Sequence, residues 1–237
     1  MNHRTTARVV GSLFIVATLA GLAAAVVEQP ILAPPDDYLP WMSRNADRVI
    51  TGAFLELIMA TAVVAIPVAA YPVLRCFSER LALGYVIARA VEGMILLAAT
   101  TGLLTMLTVG QQFAAANPAD APHIQTLGDV VMAARDWAGH TVLSTVAFPM
   151  AALILNTALY RARLVPRWLA GWGLLGAILY WSAGIGVLVE VVEPFRPSQI
   201  VLVLPLAVQE MALAAWLIAK GFDLDRRHPQ TDPVSPR

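Results

Sequence analysis

The sequence has little charge and almost no cysteine. Only 14% of its 237 residues are Asp, Glu, Lys or Arg, whereas soluble domains carry about 25%. The single cysteine, Cys76, excludes an intramolecular disulfide and any cysteine-rich zinc or iron–sulfur site. The formal net charge is zero. This argues against a nucleic-acid partner, because nucleic-acid-binding proteins present a basic face or stripe.

Histidine is also scarce, and the common catalytic motifs are missing. Of four histidines, only His140 lies near an apolar run. One histidine cannot ligate a haem from both sides, and a zinc site here would need carboxylates such as Asp136 or Glu56 as further ligands. No GxSxG, HExxH, phosphate-binding loop or dinucleotide-binding motif occurs. We therefore predict no metal ion and no cofactor.

What the sequence does contain is a series of long apolar runs. Hydrophobic residues make up 58% of the chain, and its mean hydropathy is +0.68. A helix needs about 20 apolar residues to cross a bilayer. Six runs meet this need, at about 9–27, 49–74, 81–109, 130–160, 168–189 and 200–219. We predict an all-α membrane bundle of six transmembrane helices within residues 1–222, surrounded by lipid bilayer. A disordered polar tail should follow at 223–237.

The first run resembles a signal peptide in two respects. It follows Arg4 and Arg8, and it ends in small residues, Ala23 to Ala25, that a signal peptidase could cleave after. Its apolar stretch, however, exceeds the roughly 7 to 15 residues of a signal peptide's hydrophobic region. The sequence therefore predicts a retained first span.

Lys and Arg are unevenly distributed between the two ends of the predicted spans. Eleven lie on the side of both termini, and three lie on the other side, at Arg44, Arg48 and Arg196. Since cytoplasmic segments of membrane proteins carry the excess of positive charge, we predict that both termini are cytoplasmic. Arginine outnumbers lysine 15 to 1, which is typical of GC-rich bacterial genomes. The expected location is the bacterial inner membrane.

The third run carries an unusual charged pair, Arg89 and Glu92. Residues three apart on a helix lie on one face and can contact each other. Charges at this depth are costly unless they face the protein interior with a partner, so both side chains should point inward. Glu56 and Glu210 lie in two further runs and should also point inward. The candidate site is where these helices meet.

These charges allow three hypotheses. Arg89 can pair with Glu92 and Glu210, which both lie near the middle of their spans. One carboxylate is then in excess and would take a proton or bind a cation, as in a small proton- or cation-coupled carrier of a small molecule or ion. An intramembrane isomerase or cyclase would instead use Glu92 or Glu210 as the acid. Asp136 and His140, four residues apart, would then act as the base. In a structural or accessory subunit, the charges would only fix helix packing.

Two stretches resemble a known family. LYRARLVPRWLAGWGLLGA at 159–177 and LPLAVQEMALAAWLIAKGF at 204–222 are similar to characteristic segments of a bacterial six-span family, domain of unknown function 4386. The RxxE pair of the third run also fits this family. The resemblance implies a six-span fold over nearly the whole chain, and it implies no activity. The residues it singles out are Arg89, Glu92 and Glu210, with Pro166, Arg167 and Trp168 at the link before the fifth span.

The predicted orientation is testable with reporter fusions. Fusions after Arg80, Arg163 and Lys220 should all report the cytoplasm, because the excess of positive charge lies at these positions. A fusion near Pro118 should report the opposite side. Alkaline phosphatase and green fluorescent protein reporters would measure this, and a cytoplasmic signal at Pro118 would contradict the orientation.

Overall fold

The computed structural model describes residues 3–32, 37–192 and 196–223. This part of the chain is helical and contains no strand. The helices are α1 (His3–Leu32), α2 (Tyr38–Arg44), α3 (Ala46–Leu74), α4 (Glu79–Ala115), α5 (Ala121–Asp136), α6 (Phe148–Ala162), α7 (Arg167–Leu188) and α8 (Pro197–Ala219), with a π-helical segment (Trp137–Ala147) joining α5 to α6.

Six helical rods are long and apolar enough to cross a membrane. They are α1, α3, α4, the continuous rod 121–162, α7 and α8. This confirms the predicted all-α six-span architecture. The predicted disordered tail falls, beyond Asp223, on residues 224–237, which lie outside the described residues. Asp223 itself donates its backbone N–H to the carbonyl of Leu164 at 2.8 Å.

Successive rods run in opposite directions, so the bundle has two distinct ends. The start of α1 contacts the end of α8, since a Cβ on Gly11 would lie 2.7 Å from the carbonyl oxygen of Ala214. At the other end, Arg48 at the start of α3 donates to the carbonyl of Val27 in α1 at 2.6 Å. We call the first end the terminal side and the second the far side.

Small residues allow the rods to approach closely. A Cβ on Gly93 in α4 would lie 2.5 Å from a methyl carbon of Val64 in α3. In lipid there is no hydrophobic driving force between helices, and close backbone approach supplies the packing contacts instead. Gly11 thus lets α1 approach α8 closely at the terminal side, and Gly93 lets α4 approach α3 closely nearer the middle of the bundle.

Residues 38–44 lie between α1 and α3 in the chain. They form α2, and Tyr38, Leu39 and Met42 are buried. Tyr38 donates its hydroxyl to Asp129 Oδ1 at 2.7 Å. Burial, together with this bond, raises the pKa of Tyr38. Tyr38 therefore links α2 to α5 at the far side.

The π-helical segment Trp137–Ala147 is long for its type, since most π-helices are single-turn bulges. It ends where Phe148 donates its N–H to the carbonyl of Leu143, five residues back. Pro149, which has no N–H to donate, follows at once in the first turn of α6. The segment packs against α7 at Gly184, where a Cβ would lie 2.5 Å from the carbonyl oxygen of Ser144.

Gly184 should be required for this contact. Gly184→Ala adds a methyl group against the backbone of Ser144, and overpacking of this kind costs about 1 to 3 kcal/mol. Thermal unfolding in detergent, followed by tryptophan fluorescence, would measure the loss.

Gly171→Ala is the matched control in the same helix. Its added Cβ would meet only a ring carbon of Tyr160, at 3.9 Å. Alanine is a better helix former than glycine by about 1 kcal/mol, so this variant should be as stable as the parent or slightly more stable. Equal stability of the two variants would contradict the close contact at Gly184.

Candidate functional site: two buried arginine clusters

The first cluster is built around the guanidinium of Arg89, which is 2% exposed. Nη1 donates to Glu92 Oε1 at 3.0 Å and to Oε2 at 3.1 Å. Nη2 donates to Glu210 Oε1 on α8 at 3.1 Å. We call Arg89, Glu92 and Glu210 the Arg89 cluster. It joins α4 to α8 through a guanidinium that two carboxylates share.

Aromatic rings complete the surroundings of Arg89. Its Nε donates to the hydroxyl of Tyr85 at 3.3 Å. The guanidinium carbon also lies 5.6 Å from the ring centre of Phe14 and 5.5 Å from that of Phe148. Ring faces attract cations at such distances, so these contacts stabilise the positive charge without further hydrogen bonds. Phe14 and Phe148 thus bring α1 and α6 into contact with the Arg89 cluster.

The Arg89 cluster lines a cavity of about 190 Å³, the Arg89 cavity. Its walls combine Arg89, Glu92 and Glu210 with apolar and aromatic side chains from the surrounding helices. The other lining residues are Phe14, Ala17, Thr18, Met59, Val63, Ile66, Leu96, Leu143, Phe148 and Tyr180. The two carboxylates therefore face a shared space in the middle of the bundle.

A second cluster surrounds Arg135 at the end of α5. Its Nη2 donates to Glu28 Oε2 at 2.6 Å and to Glu56 Oε1 at 2.8 Å. The side chains of Arg135 and Glu28 are 6% and 3% exposed. We call Arg135, Glu28 and Glu56 the Arg135 cluster. It joins α1, α3 and α5, and like the Arg89 cluster it contains one guanidinium and two carboxylates.

Two glycines make room for the Arg135 cluster. A Cβ on Gly52 in α3 would lie 2.7 Å from Glu28 Oε1, and one on Gly102 in α4 would lie 3.1 Å from the Cβ of Arg135. Any larger side chain at Gly52 would displace the Glu28 carboxylate. The sequence therefore provides both the charges and the space in which they meet.

The Arg135 cluster lines its own cavity, also of about 190 Å³, the Arg135 cavity. Met59, Leu96 and Leu143 line both cavities and so form the wall between them. Along α4, Gly102 beside Arg135 lies about 15 Å further toward the far side than Glu92, at 1.5 Å per residue. The two clusters thus lie at different depths, one near the middle and one nearer the far side.

The structure sorts the predicted site residues into three groups. It brings Arg89, Glu92 and Glu210 together. It places Glu56 in the Arg135 cluster, away from Arg89. Asp136 has an exposed side chain and does not line either cavity. The side chain of His140 lies outside the described residues, and so does its predicted pairing with Asp136.

Sequence reasoning missed Glu28 and Arg135. Glu28 directly follows an apolar run and precedes several prolines, which made it look like the first residue of a loop. In the structure α1 continues through it. Arg135 follows two alanines and precedes Asp136, and only Asp136 was considered as a site residue, for its spacing from His140. The positions of Glu28 and Glu56 were the available signal. Both lie near far-side ends of spans, and carboxylates there require a cation inside the protein.

The link between α6 and α7 carries the remaining residues singled out by the family resemblance. Pro166 precedes the first turn of α7. The guanidinium carbon of Arg167 lies 5.4 Å from the ring centre of Tyr160, and the rings of Trp168 and Trp172 stack with centres 6.5 Å apart. These contacts fix the turn at the terminal side, and none of these residues lines the Arg89 or Arg135 cavity.

Arg89 should contribute far more to stability than an exposed arginine. Arg89→Ala leaves two buried carboxylates without their cation, and breaking a buried pair costs about 3 to 5 kcal/mol. Arg44→Ala is the control, because Arg44 pairs with Asp37 while both side chains are mostly exposed. Such pairs contribute about 0 to 1 kcal/mol. Thermal unfolding in detergent would compare the two, and similar melting temperatures would contradict a buried structural role for Arg89.

Comparison with known proteins identifies a family for this chain. The family model described as domain of unknown function (DUF4386) matches residues 9–221. No curated protein and no solved structure matches the sequence significantly. The family match spans most of the chain and includes both clusters, so it confirms the resemblance first seen at 159–177 and 204–222. The chain is therefore a six-span membrane protein of the DUF4386 family, whose description assigns no function.

Proposed function

We propose that the protein is a small proton- or cation-coupled carrier in which the Arg89 cluster is the coupling site. The observation that carries this proposal is the sharing of one guanidinium by two carboxylates that line a common cavity. A fully ionised cluster has one negative charge in excess. In a low-dielectric interior such a charge is costly, and a bound proton or small cation removes the cost.

Within the cluster, Glu210 is the better candidate for carrying the exchangeable charge. Glu92 accepts from Arg89 at both carboxylate oxygens, whereas the described contact of Glu210 uses one. The side chain of Glu210 is 13% exposed against 4% for Glu92. Glu92 therefore balances Arg89, and Glu210 is left more accessible from the cavity.

The helix that bears Glu210 contains a weak point nearby. Pro205 lies inside α8, little more than one turn before Glu210. Proline supplies no N–H to the carbonyl four residues earlier, here that of Val201, and its ring favours a bend. Pro67 has the same effect in α3, near the contact of Val64 with Gly93. Bending at these prolines would let the cavity change its accessibility from one side to the other.

The orientation of the carrier follows from the arginine distribution. We propose that the terminal side faces the cytoplasm of a bacterial cell, since the sequence assigns eleven of the 16 Lys and Arg residues to the side of both termini. The Arg135 cavity would then lie toward the outside, and the Arg89 cavity near the middle of the membrane.

The carrier proposal predicts opposite effects of Glu210→Gln on stability and on function. The amide keeps the size of the side chain and an oxygen that accepts from Arg89 Nη2, while Glu92 still balances the guanidinium. The melting temperature should fall by no more than about 3 °C, equivalent to about 1 kcal/mol. A charge entering a site near the middle of the membrane moves through part of the membrane field. A rapid increase in the concentration of H⁺, Na⁺ or K⁺ outside proteoliposomes should therefore give a transient current with the parent protein and none with the variant.

Glu79→Gln is the matched control, because Glu79 is an exposed residue of α4 at the terminal side. It should leave both the melting temperature and the current unchanged. Two results would overturn the proposal. One is the absence of current in the parent protein for all three cations. The other is a large stability loss in Glu210→Gln, which would show that ionised Glu210 only fixes helix packing.

A further inference from the structure

The Arg135 cavity has unsatisfied polar atoms that the carrier proposal does not use. Glu28 Oε1, Glu56 Oε2 and Arg135 Nε are buried and have no hydrogen-bond partner among the described residues. All three side chains line the cavity, and Glu28 and Arg135 are more than nine-tenths buried. The two carboxylate oxygens are buried acceptors without a donor, which is costly, so both lack a ligand that donates hydrogen bonds.

The charge of the cluster indicates the sign of that ligand. Two carboxylates converge on one guanidinium nitrogen, Arg135 Nη2, so the ionised cluster has one negative charge in excess. A ligand with a positive charge and N–H donors would neutralise this charge and satisfy the carboxylate oxygens together. An anionic ligand would be repelled by two carboxylates whose negative charge exceeds the positive charge of the guanidinium.

The walls of the cavity indicate the rest of the ligand. Apart from the cluster, the lining residues are glycine, alanine, leucine and methionine. No group of three His, Cys, Asp or Glu side chains arranged to hold a metal ion occurs within the described ranges. Calcium takes six to eight oxygen ligands, and magnesium needs near-octahedral geometry. An aliphatic wall with a charged end instead suits an alkyl chain that ends in an ammonium group.

We propose that the Arg135 cavity is a binding site for a small primary alkylammonium cation. Its ammonium group contacts Glu28 and Glu56, and its alkyl chain lies against Met59, Leu96 and Leu143. The same three residues separate it from the Arg89 cavity. This site does not depend on the carrier proposal, because binding at Glu28 and Glu56 requires no transport.

Binding can be measured with three probes of similar shape and different charge. Isothermal titration of the purified full chain with n-butylammonium chloride should give saturable heat, whereas sodium butyrate and 1-butanol should give none. Glu56→Gln removes the excess charge but leaves an acceptor near Arg135, the amide oxygen of glutamine. It should weaken butylammonium binding about tenfold or more, the factor that corresponds to about 1.4 kcal/mol. Glu210→Gln, in the other cavity, should leave binding unchanged.

These arms separate failure of this site from failure of the carrier proposal. Unchanged binding in Glu56→Gln, loss of binding in Glu210→Gln, or equal binding of 1-butanol would each overturn the alkylammonium site. None of these outcomes bears on the transient currents expected from Glu210. Saturable binding that requires Glu56 but not Glu210 would support the site even if no current were found.

A second measurement needs no change to the cluster and so covers the case in which Glu56→Gln does not fold. Ala25 lines the cavity, and the native Cys76 is exposed at the terminal side. In Ala25→Cys with Cys76→Ser, the reaction rates of a trimethylammonium methanethiosulfonate and of its sulfonate counterpart with the thiol would be measured. The ratio of the cationic rate to the anionic rate should be higher at the introduced cysteine of this variant than at Cys76 in the parent chain. Butylammonium should slow this reaction. A ratio equal to that at Cys76, with no protection, would overturn the proposal.

Discussion

The bundle depends on how it accommodates the charge of Arg89 in a membrane interior. An arginine in hydrocarbon is stable only if it faces protein and has partners for its donors. Here Glu92 on the same helix, Glu210 on α8, and rings from α1, α4 and α6 provide them. Four of the six rods therefore meet at one guanidinium. The hydrogen bonds of the guanidinium join α4 to α8, and its ring contacts add α1 and α6, so these contacts act together with the close packing at small residues.

The Arg135 cluster repeats the same chemistry with different helices. It links α1 and α3 to the rod 121–162, whereas the Arg89 cluster links α4 to α8. Each cluster has more negative than positive groups, and each borders a cavity large enough for a few non-hydrogen atoms. A network that served packing alone would be more stable with equal numbers of opposite charges and no open space beside them.

Sequence reasoning predicted the parts of this arrangement that depend on local spacing. Six apolar runs gave the fold, and the three-residue spacing of Arg89 and Glu92 predicted their contact, because both follow from α-helical geometry. The depth of Glu210 in its run placed it at the right level. Glu28 and Arg135 could not be found in this way. Their contact spans 107 positions of the chain, and its geometry depends on where α1 ends and where the rod 121–162 leaves the α-helical pattern.

The π-helical segment also sets the rotational phase between the two halves of the rod 121–162. Before it, Arg135 faces Glu28 and Glu56, and after it, Asn156 accepts from Gln209 of α8. Bonds that reach back five residues turn the backbone less per residue than α-helical bonds do. A regular α-helix over the same eleven residues would rotate one half against the other. One of these two polar contacts would then be broken, so a single rod makes both only because its winding changes partway along.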